Sequence, residues 1–252
     1  MRKTKSPFKD NKLLKQQIQE FLSSHRATFA QEVNRTSCFF ELAVFNDLVR
    51  YYETNGYLVS PQNLRKKNRQ FVYALSPSAK PENCSYFLAE KRYIRRDSKY
   101  FEIRHNLRIQ SAHNDDIFVS PDYAIIDGKK IRSTKVPHYY NGKADYFYIE
   151  SKHVRTFAET KHYYPSPELV LNFVGLVNEI MPPLIEGNVP SQLPRHFGPS
   201  LFVSGVGNVH INKIKKSLAE RYKINVFLGL FAYPSQLYSS SNQPRIEKIG
   251  NK

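Results

Sequence analysis

Three runs rich in aromatic and β-branched residues follow one another between residues 100 and 154, and this succession most strongly limits the folds open to the chain. The runs YFEIRHNLRI, DDIFVSPDYAII and DYFYIESKHV each have the length of a β-strand, with Asn114 and the pair Asp127-Gly128 as turn signals. Beyond them the pattern alternates between helix and strand. We therefore predict one sheet with antiparallel and parallel pairs and with helices on both faces.

The other elements are predicted from apolar periodicity and from cap residues. SCFFELAVFNDLVRYYE has apolar residues at spacings of three and four, which predicts a helix that ends near Asn55 and Gly56. Ser166 and Pro167 form an N-cap and first-turn pair for a helix over PELVLNFVGLVNEIM. PSLFVSGVG predicts a strand, HINKIKKSLAERY a helix and NVFLGLFAY a last strand. The predicted fold class is α/β, a central mixed β-sheet flanked by helices, in the order helix-strand-strand-strand-helix-strand-helix-strand.

The domain organisation is predicted from composition. Residues 13–235 are expected to form a single domain, between a basic tail over 1–12 and a flexible C-terminal tail over 236–252. Within the domain, only mixed structure is predicted for 57–100, because prolines interrupt short apolar runs between basic clusters such as RKKNR.

The charge balance points to a polyanionic partner. Lys and Arg total 38 against 22 Asp and Glu, which gives a formal net charge of +16. Basic side chains bind nucleic acid by releasing condensed counterions, although basicity also serves solubility alone. Cys38 and Cys84 are too few for a zinc motif or a disulfide framework. No apolar run approaches the roughly 20 residues of a membrane span, so no membrane is expected. The positive charge makes DNA the expected partner. The expected location is cytoplasmic.

A carboxylate and a lysine are predicted to share one strand face. In DYFYIESKHV the two-residue period of a strand puts Glu150 and Lys152 on the same side. In the preceding run, Asp122 lies between apolar segments, where an unpaired acid is costly. Two carboxylates on neighbouring strands form the oxygen-rich site that Mg²⁺ prefers, and Mn²⁺ is expected to substitute. The pattern predicts metal-dependent phosphodiester hydrolysis.

Pro121-Asp122 and the later Glu150-Ser151-Lys152 give the chain a resemblance to the PD-(D/E)xK nucleases, which have the restriction-endonuclease-like fold. That family's core is a helix, three strands, a helix and a further strand, which agrees with the predicted order. The resemblance implies that Asp122 and Glu150 bind the metal, that the backbone carbonyl of Ser151 adds a ligand, and that Lys152 assists the nucleophile.

The resemblance extends over roughly residues 36–232 and also implies a catalytic or metal-binding role for Glu41. Members of the family commonly carry an acid on the helix before the core strands, and Glu41 lies on the same side of its helix as Phe45 and Leu48. A salt bridge to a neighbouring Lys or Arg explains an inward Glu equally well.

Plainer interpretations exist for the other acids. Glu150 and Lys152 also fit an exposed ion pair, and Ser-Pro-Asp at Asp122 is good turn chemistry. Asp115 or Asp116 is the alternative acid if Asp122 has no role.

Five basic residues are candidates for contacts with phosphate groups, although solvated faces look the same in a sequence. They are Arg104, Arg108, Lys213, Lys215 and Lys216.

The function that these observations favour is a Mg²⁺-dependent DNA endonuclease. A homodimer or a larger nuclease complex is expected, because cutting both strands usually takes two active sites. The alternatives are a non-catalytic nucleic-acid-binding module, a subunit that binds a partner protein, and a ribonuclease of the same fold. Restriction, phage defence, repair and transposition all stay open as settings.

Overall fold

A mixed sheet of seven strands forms the middle of the protein, with helices on both faces. The computed structural model describes residues 11–29, 36–128, 133–136, 146–189, 191, 193–230 and 246–250. The α-helices in these residues are α1 (Asn11–Ser24), α2 (Thr36–Thr54), α3 (Pro167–Ile180) and α4 (Val209–Arg221). The strands are β1 (Thr28–Phe29), β2 (Leu58–Gln62), β3 (Gln70–Phe71), β4 (Tyr86–Lys91), β5 (Lys99–His105), β6 (Ile109–Gln110), β7 (Phe118–Val119), β8 (Tyr123–Asp127), β9 (Thr134–Val136), β10 (Tyr146–Tyr148), β11 (Val154–Lys161), β12 (His196–Phe197), β13 (Ser200–Val203), β14 (Asn225–Leu228) and β15 (Lys248–Ile249).

The strand order of the central sheet is β14-β13-β11-β8-β5-β4-β2. The pairs from β2 to β11 are antiparallel, and β11, β13 and β14 are parallel to one another. Parallel neighbours need a crossover connection, which α3 and α4 supply. The model is therefore α/β with an antiparallel part and a parallel part, as predicted.

Two hydrophobic cores lie on opposite faces of this sheet. Successive strand residues point to opposite faces, so Tyr123 and Ile125 join the core under α1 and α2, whereas Ala124 and Ile126 join the core under α3 and α4. The alternation along β8 thus links the two helical layers through one buried strand.

The helix boundaries follow the predicted signals. α2 ends at Thr54, and Gly56 then takes a φ of +76°, a conformation that glycine adopts without a steric penalty. α3 begins after Ser166, whose side chain accepts a hydrogen bond from the backbone N–H of Leu169 at 3.2 Å. Both of these predictions are confirmed.

The predicted order of elements is confirmed in part. From β5 onward the elements β5, β8, β11, α3, β13, α4 and β14 follow it, whereas β2 and β4 of the same sheet lie between α2 and β5 in the chain. The segment 57–100, predicted only as mixed, contributes β2 and β4, which extend the sheet beyond β5.

The position of the third core strand was predicted wrongly. DYFYIESKHV does not form one strand of the central sheet: among the described residues β10 pairs with β9 alone, and Ser151–His153 is a turn of 3₁₀-helix. The third core strand is β11, whose Phe157 and Ala158 are fully buried, whereas all three residues of β10 are half-buried. The more completely apolar segment takes the central position, because that position is covered on both faces.

The predicted tails need correction where the structure describes them. α1 already begins at Asn11, inside the predicted N-terminal tail, and residues 1–10 lie outside the described residues. Within the predicted C-terminal tail, Ile249 is fully buried and β15 pairs with β12. Residues 231–245 and 251–252 lie outside the described residues. Of the helices described, none is long and apolar enough to span a bilayer.

Candidate active site

Asp122 and Glu159 meet at one end of the central sheet because of the register between β8 and β11. Tyr123 pairs with Ala158 in this antiparallel ladder, so the residues just beyond them, Asp122 and Glu159, lie side by side. The backbone N–H of Asp122 donates a hydrogen bond to Oε2 of Glu159 at 3.2 Å. Two carboxylates thus lie at the edge of a buried strand pair.

The Asp122 carboxylate is held in place by Thr160. Its Oδ2 atom accepts hydrogen bonds from the backbone N–H of Thr160 at 2.6 Å and from the Thr160 hydroxyl at 2.7 Å. Thr160 itself is buried. This two-point contact fixes one oxygen of Asp122 and leaves its other oxygen for a further partner.

Lys161 places its ammonium group between the two carboxylates. Its Nζ atom contacts Oε1 of Glu159 directly and lies 4.0 Å from Oδ2 of Asp122. The side chains of Asp122, Glu159 and Lys161 are 17, 16 and 31% exposed, so a ligand can reach all three. The end of the β8–β11 pair therefore holds two carboxylates and one ammonium group.

A third carboxylate, that of Glu41, approaches this cluster from α2. Its Oε1 atom accepts hydrogen bonds from Nε2 of the buried His105 at 2.5 Å and from the side-chain amide of Asn106 at 2.9 Å. Asn106 also donates its backbone N–H to the carbonyl oxygen of Asp122 at 2.7 Å, and the Tyr123 hydroxyl donates to the carbonyl oxygen of Glu41 at 2.7 Å. The end of β5 therefore ties Glu41 to the start of β8.

Burial and mutual repulsion perturb the acids of this cluster. Burial, followed by the negative charge of Asp122, raises the pKa of Glu159 to about 7. Burial raises the pKa of Asp122, and the charge of Glu41 raises it further, against the effect of Lys161 and the Thr160 hydrogen bonds. Carboxylates that share a small, partly desolvated space repel one another unless a cation joins them.

Two groups of the cluster keep their charge. Burial alone would raise the pKa of Glu41, but the hydrogen bonds and charge of His105, with Asn106 and Lys161, lower it overall. Burial alone would lower the pKa of Lys161, but the charges of Asp122 and Glu159 raise it overall. Lys161 is thus a permanent cation at neutral pH.

The predicted residues Glu150, Ser151 and Lys152 lie away from this cluster. Glu150 precedes the 3₁₀ turn formed by Ser151–His153, and its carboxylate pairs with the ammonium of Lys152. The side chains of Lys152 and Glu150 are 67 and 39% exposed. The structure brings together Asp122 and Glu41 from the predicted set, and it places Glu150 and Lys152 in an exposed ion pair instead.

The basic residues predicted to contact phosphates divide into two groups. Arg104 donates to Glu102 at 2.7 Å and to the Pro81 carbonyl at 2.8 Å, and the buried Arg108 stacks on the Tyr146 ring at 3.2 Å. The guanidinium groups of both arginines are therefore engaged in contacts within the protein. On α4, Lys213 and Lys216 are exposed, while Lys215 is half-buried and burial lowers its pKa.

The residues that the sequence interpretation missed are Glu159 and Lys161, together with His105 and Asn106, which hold Glu41. A signal for the first two exists: VRTFAETK ends in a glutamate and a lysine two residues apart, directly after the buried run TFA. For the histidine and asparagine no comparable signal exists, because their role depends on the approach of α2 to the end of β5.

The side chains of this cluster determine which metal ions it could bind. In the part of the chain that the structure describes, no group of three or more His, Cys, Asp or Glu side chains is arranged to hold a metal. Asp122 and Glu159 offer two carboxylates, and Glu41 is engaged by His105 and Asn106. Mg²⁺ is commonly held by one or two carboxylates plus waters and substrate phosphate, so the residues fit Mg²⁺ and do not fit an ion that needs a full protein cage.

Comparison of the chain with models of protein families, with curated proteins and with solved structures found no match.

Proposed function

We propose that this protein is a metal-dependent DNA endonuclease of the PD-(D/E)xK type, with Asp122, Glu159 and Lys161 as its centre. The observation that carries the proposal is the meeting of these three side chains at the end of β8 and β11. Pro121-Asp122 followed by Glu159-Thr160-Lys161 fits the family pattern. The order of the core elements supports a restriction-endonuclease-like fold.

Each side chain has a role that its surroundings support. Asp122 and Glu159 would hold Mg²⁺. Their pKa values are raised because Lys161 alone does not offset the burial and mutual repulsion of the two acids. A bound Mg²⁺ lowers the pKa of a coordinated water and neutralises charge that develops on the phosphate. Lys161 keeps its proton and can donate hydrogen bonds to the attacking oxygen or to the phosphate.

Glu41 has a supporting position in the proposed centre. Its low pKa keeps it charged, and its hydrogen bonds to His105 and Asn106 fix its carboxylate beside Asp122. Placed there, it would add negative charge to the site at which Asp122 and Glu159 would hold the cation. Its tie to His105 also explains why an acid lies on the inward side of α2.

The test is cleavage of supercoiled plasmid by the purified protein with Mg²⁺, with Mn²⁺ and with EDTA, compared with Asp122→Asn and Asp115→Asn. The first variant removes a charge from the proposed centre, and the second removes one from an exposed loop. We expect metal-dependent cutting that Asp122→Asn loses by at least about 1000-fold, or about 4 kcal/mol in activation free energy, and that Asp115→Asn retains.

Parallel digestions of duplex DNA, single-stranded DNA and RNA identify the substrate. Cutting of RNA alone would contradict a DNA endonuclease and favour a ribonuclease on the same centre. Cutting that Asp122→Asn retains in full would contradict the proposed centre itself.

A further inference from the structure

A basic surface lies outside the candidate centre, on the loop between β2 and β3 and the turn before β1. We call it the basic loop surface, and its members are all exposed: Arg26, Arg65, Lys66, Lys67 and Arg69. From Leu58 to Pro81 the chain contains no Asp or Glu. Its positive charge is therefore not balanced by acids within its own segment.

The two loops of this surface are joined by hydrogen bonds to backbone carbonyl oxygens. Nε of Arg69 donates to the carbonyl oxygen of Arg26 at 2.8 Å, and the backbone N–H of Thr28 donates to the carbonyl oxygen of Arg69 at 3.2 Å. The Thr28 hydroxyl donates to the carbonyl oxygen of Asn68 at 3.1 Å. These contacts, with the β1–β3 pair, fix the backbone that carries the basic residues.

Two arginines of the surface have an unusual backbone conformation. Arg26 has a φ of 55° and Arg69 a φ of 51°. A positive φ is uncommon outside glycine, and arginine is not among the residues enriched there. Backbone conformations of this kind persist where the surroundings enforce them, and they concentrate at functional sites. The structure keeps two of them side by side at one basic surface.

The charges of Lys66 and Lys67 are not paired with neighbouring acids in the part of the chain that the structure describes. Glu53, an acid near the end of α2, pairs with His25 at 3.2 Å. Among the described residues, Lys66 and Lys67 have no ion-pair partner. By contrast, Arg92, directly after β4, is neutralised by two contacts with Glu90.

The strand register puts the start of the loop that carries Arg65, Lys66 and Lys67 at the same end of the sheet as Asp122 and Glu159. Gln62, the last residue of β2, pairs with Tyr86, and the row continues across the sheet through Arg104 and Ala124 to Phe157. Phe157 lies two residues before Glu159. The row crosses four strand spacings of about 4.8 Å each, or about 19 Å in all. Duplex DNA carries one charge per about 1.7 Å of axis, so about eleven phosphates cover this span.

We propose that the basic loop surface binds the phosphate backbone of the same DNA duplex whose scissile phosphate lies at the candidate centre. The inference rests on the proposed nuclease function and adds the contact that holds the duplex. Lys66 and Lys67 bind phosphates through charge alone, without reading the bases, so the contact positions the duplex and does not select a sequence. The surface is an anchor and takes no part in the chemistry.

The experiment is a fluorescence-anisotropy titration of a labelled duplex of about 20 base pairs with the full chain, in EDTA, between about 50 and about 200 mM salt. The test variant is Lys66→Gln with Lys67→Gln. The matched control is Arg95→Gln with Arg96→Gln, which removes the same charge from exposed residues between β4 and β5, at the opposite end of the sheet. Circular dichroism checks that both variants fold.

Each phosphate contact contributes about 0.9 to the slope of log affinity against log salt, so the Lys66 and Lys67 variant should lose about 1.8 from that slope. We expect its low-salt affinity to fall at least about tenfold, whereas the Arg95 and Arg96 control keeps the slope of the parent. In plasmid cleavage the Lys66 and Lys67 variant should raise KM and leave kcat within about twofold.

Two outcomes would overturn the inference. In the first, the parent binds DNA and the Lys66 and Lys67 variant has the same slope, which removes the anchor and leaves the nuclease proposal intact. In the second, the Arg95 and Arg96 control loses as much affinity and slope as the test variant, which means that binding depends on the net charge of the protein and not on this surface. Binding that depends on Lys66 and Lys67 without any metal-dependent cutting would support the anchor and count against the nuclease.

Discussion

Two short segments of this chain carry a glutamate followed two residues later by a lysine, and their surroundings differ in every respect. Glu150 and Lys152 pair with each other on the surface, at a turn of 3₁₀-helix. Glu159 and Lys161 lie at the end of a buried central strand, in contact with Asp122. A sequence motif supplies the residue types, and the tertiary position decides whether they can do chemistry. The predictions below compare the two segments.

The largest expected difference is in metal affinity. Titration calorimetry with Mn²⁺, in the absence of DNA, should show that Glu159→Gln weakens binding by about 100-fold or more, because even the partners of metal ligands contribute about 10- to 100-fold. Glu150→Gln should bind Mn²⁺ like the parent, since its carboxylate is engaged with Lys152 at the surface. Equal losses in the two variants would remove the distinction between the segments.

A smaller difference is expected in the pH dependence of stability. The pKa of Glu159 is raised to about 7, above its ordinary 4.5, so its neutral form is the one that the metal-free fold favours. Its contribution to stability is fully present below about pH 4.5 and is lost as the pH rises through 7. Glu159→Gln stays neutral, and its advantage over the parent should therefore grow between pH 5 and pH 8.

That advantage should reach a few kcal/mol in the free energy of unfolding at pH 8, or roughly 5 to 10 °C in Tm. Thermal denaturation in EDTA at both pH values measures it. Glu150→Gln serves as the control, because the pKa of Glu150 is lowered, chiefly by its hydrogen bond from Lys152. If Glu159→Gln has the same Tm as the parent at both pH values, the prediction that Glu159 has a raised pKa in the folded protein is wrong.

The smallest effect is expected at the surface pair. Lys152→Ala should change the free energy of unfolding by only about 0 to 1 kcal/mol, the range of exposed ion pairs. Urea denaturation measures the change. A loss well above that range would mean that the pair has a structural role that its exposure does not suggest.

The sequence predicted the architecture more fully than the site. Helices, strands and their order followed from apolar periodicity and caps such as Ser166, because those signals are local. The central place of β11 was missed, since DYFYIESKHV has the stronger aromatic pattern and only the packing shows that Phe157 and Ala158 are the buried pair. Local propensity and burial favour different segments here, and burial prevails.

The same reasoning explains which site residues could be predicted. Asp122 was found because an acid inside an apolar pattern is anomalous, whereas Glu41 was found through the family resemblance and its inward position on the helix. Glu159 and Lys161 were missed with the strand that carries them. Asn106, with its φ of 48°, could not have been found, because its role depends on the approach of α2 to the end of β5.

The most direct test of the account compares Lys161→Ala with Lys152→Ala in metal-dependent cleavage of plasmid DNA. Both variants remove one ammonium that pairs with a glutamate two residues earlier, so they differ only in place. We predict that Lys161→Ala lowers the cleavage rate by at least about 1000-fold and that Lys152→Ala stays within about twofold of the parent. Loss of cleavage in Lys152→Ala with full activity in Lys161→Ala would contradict the account and return the centre to the exposed segment.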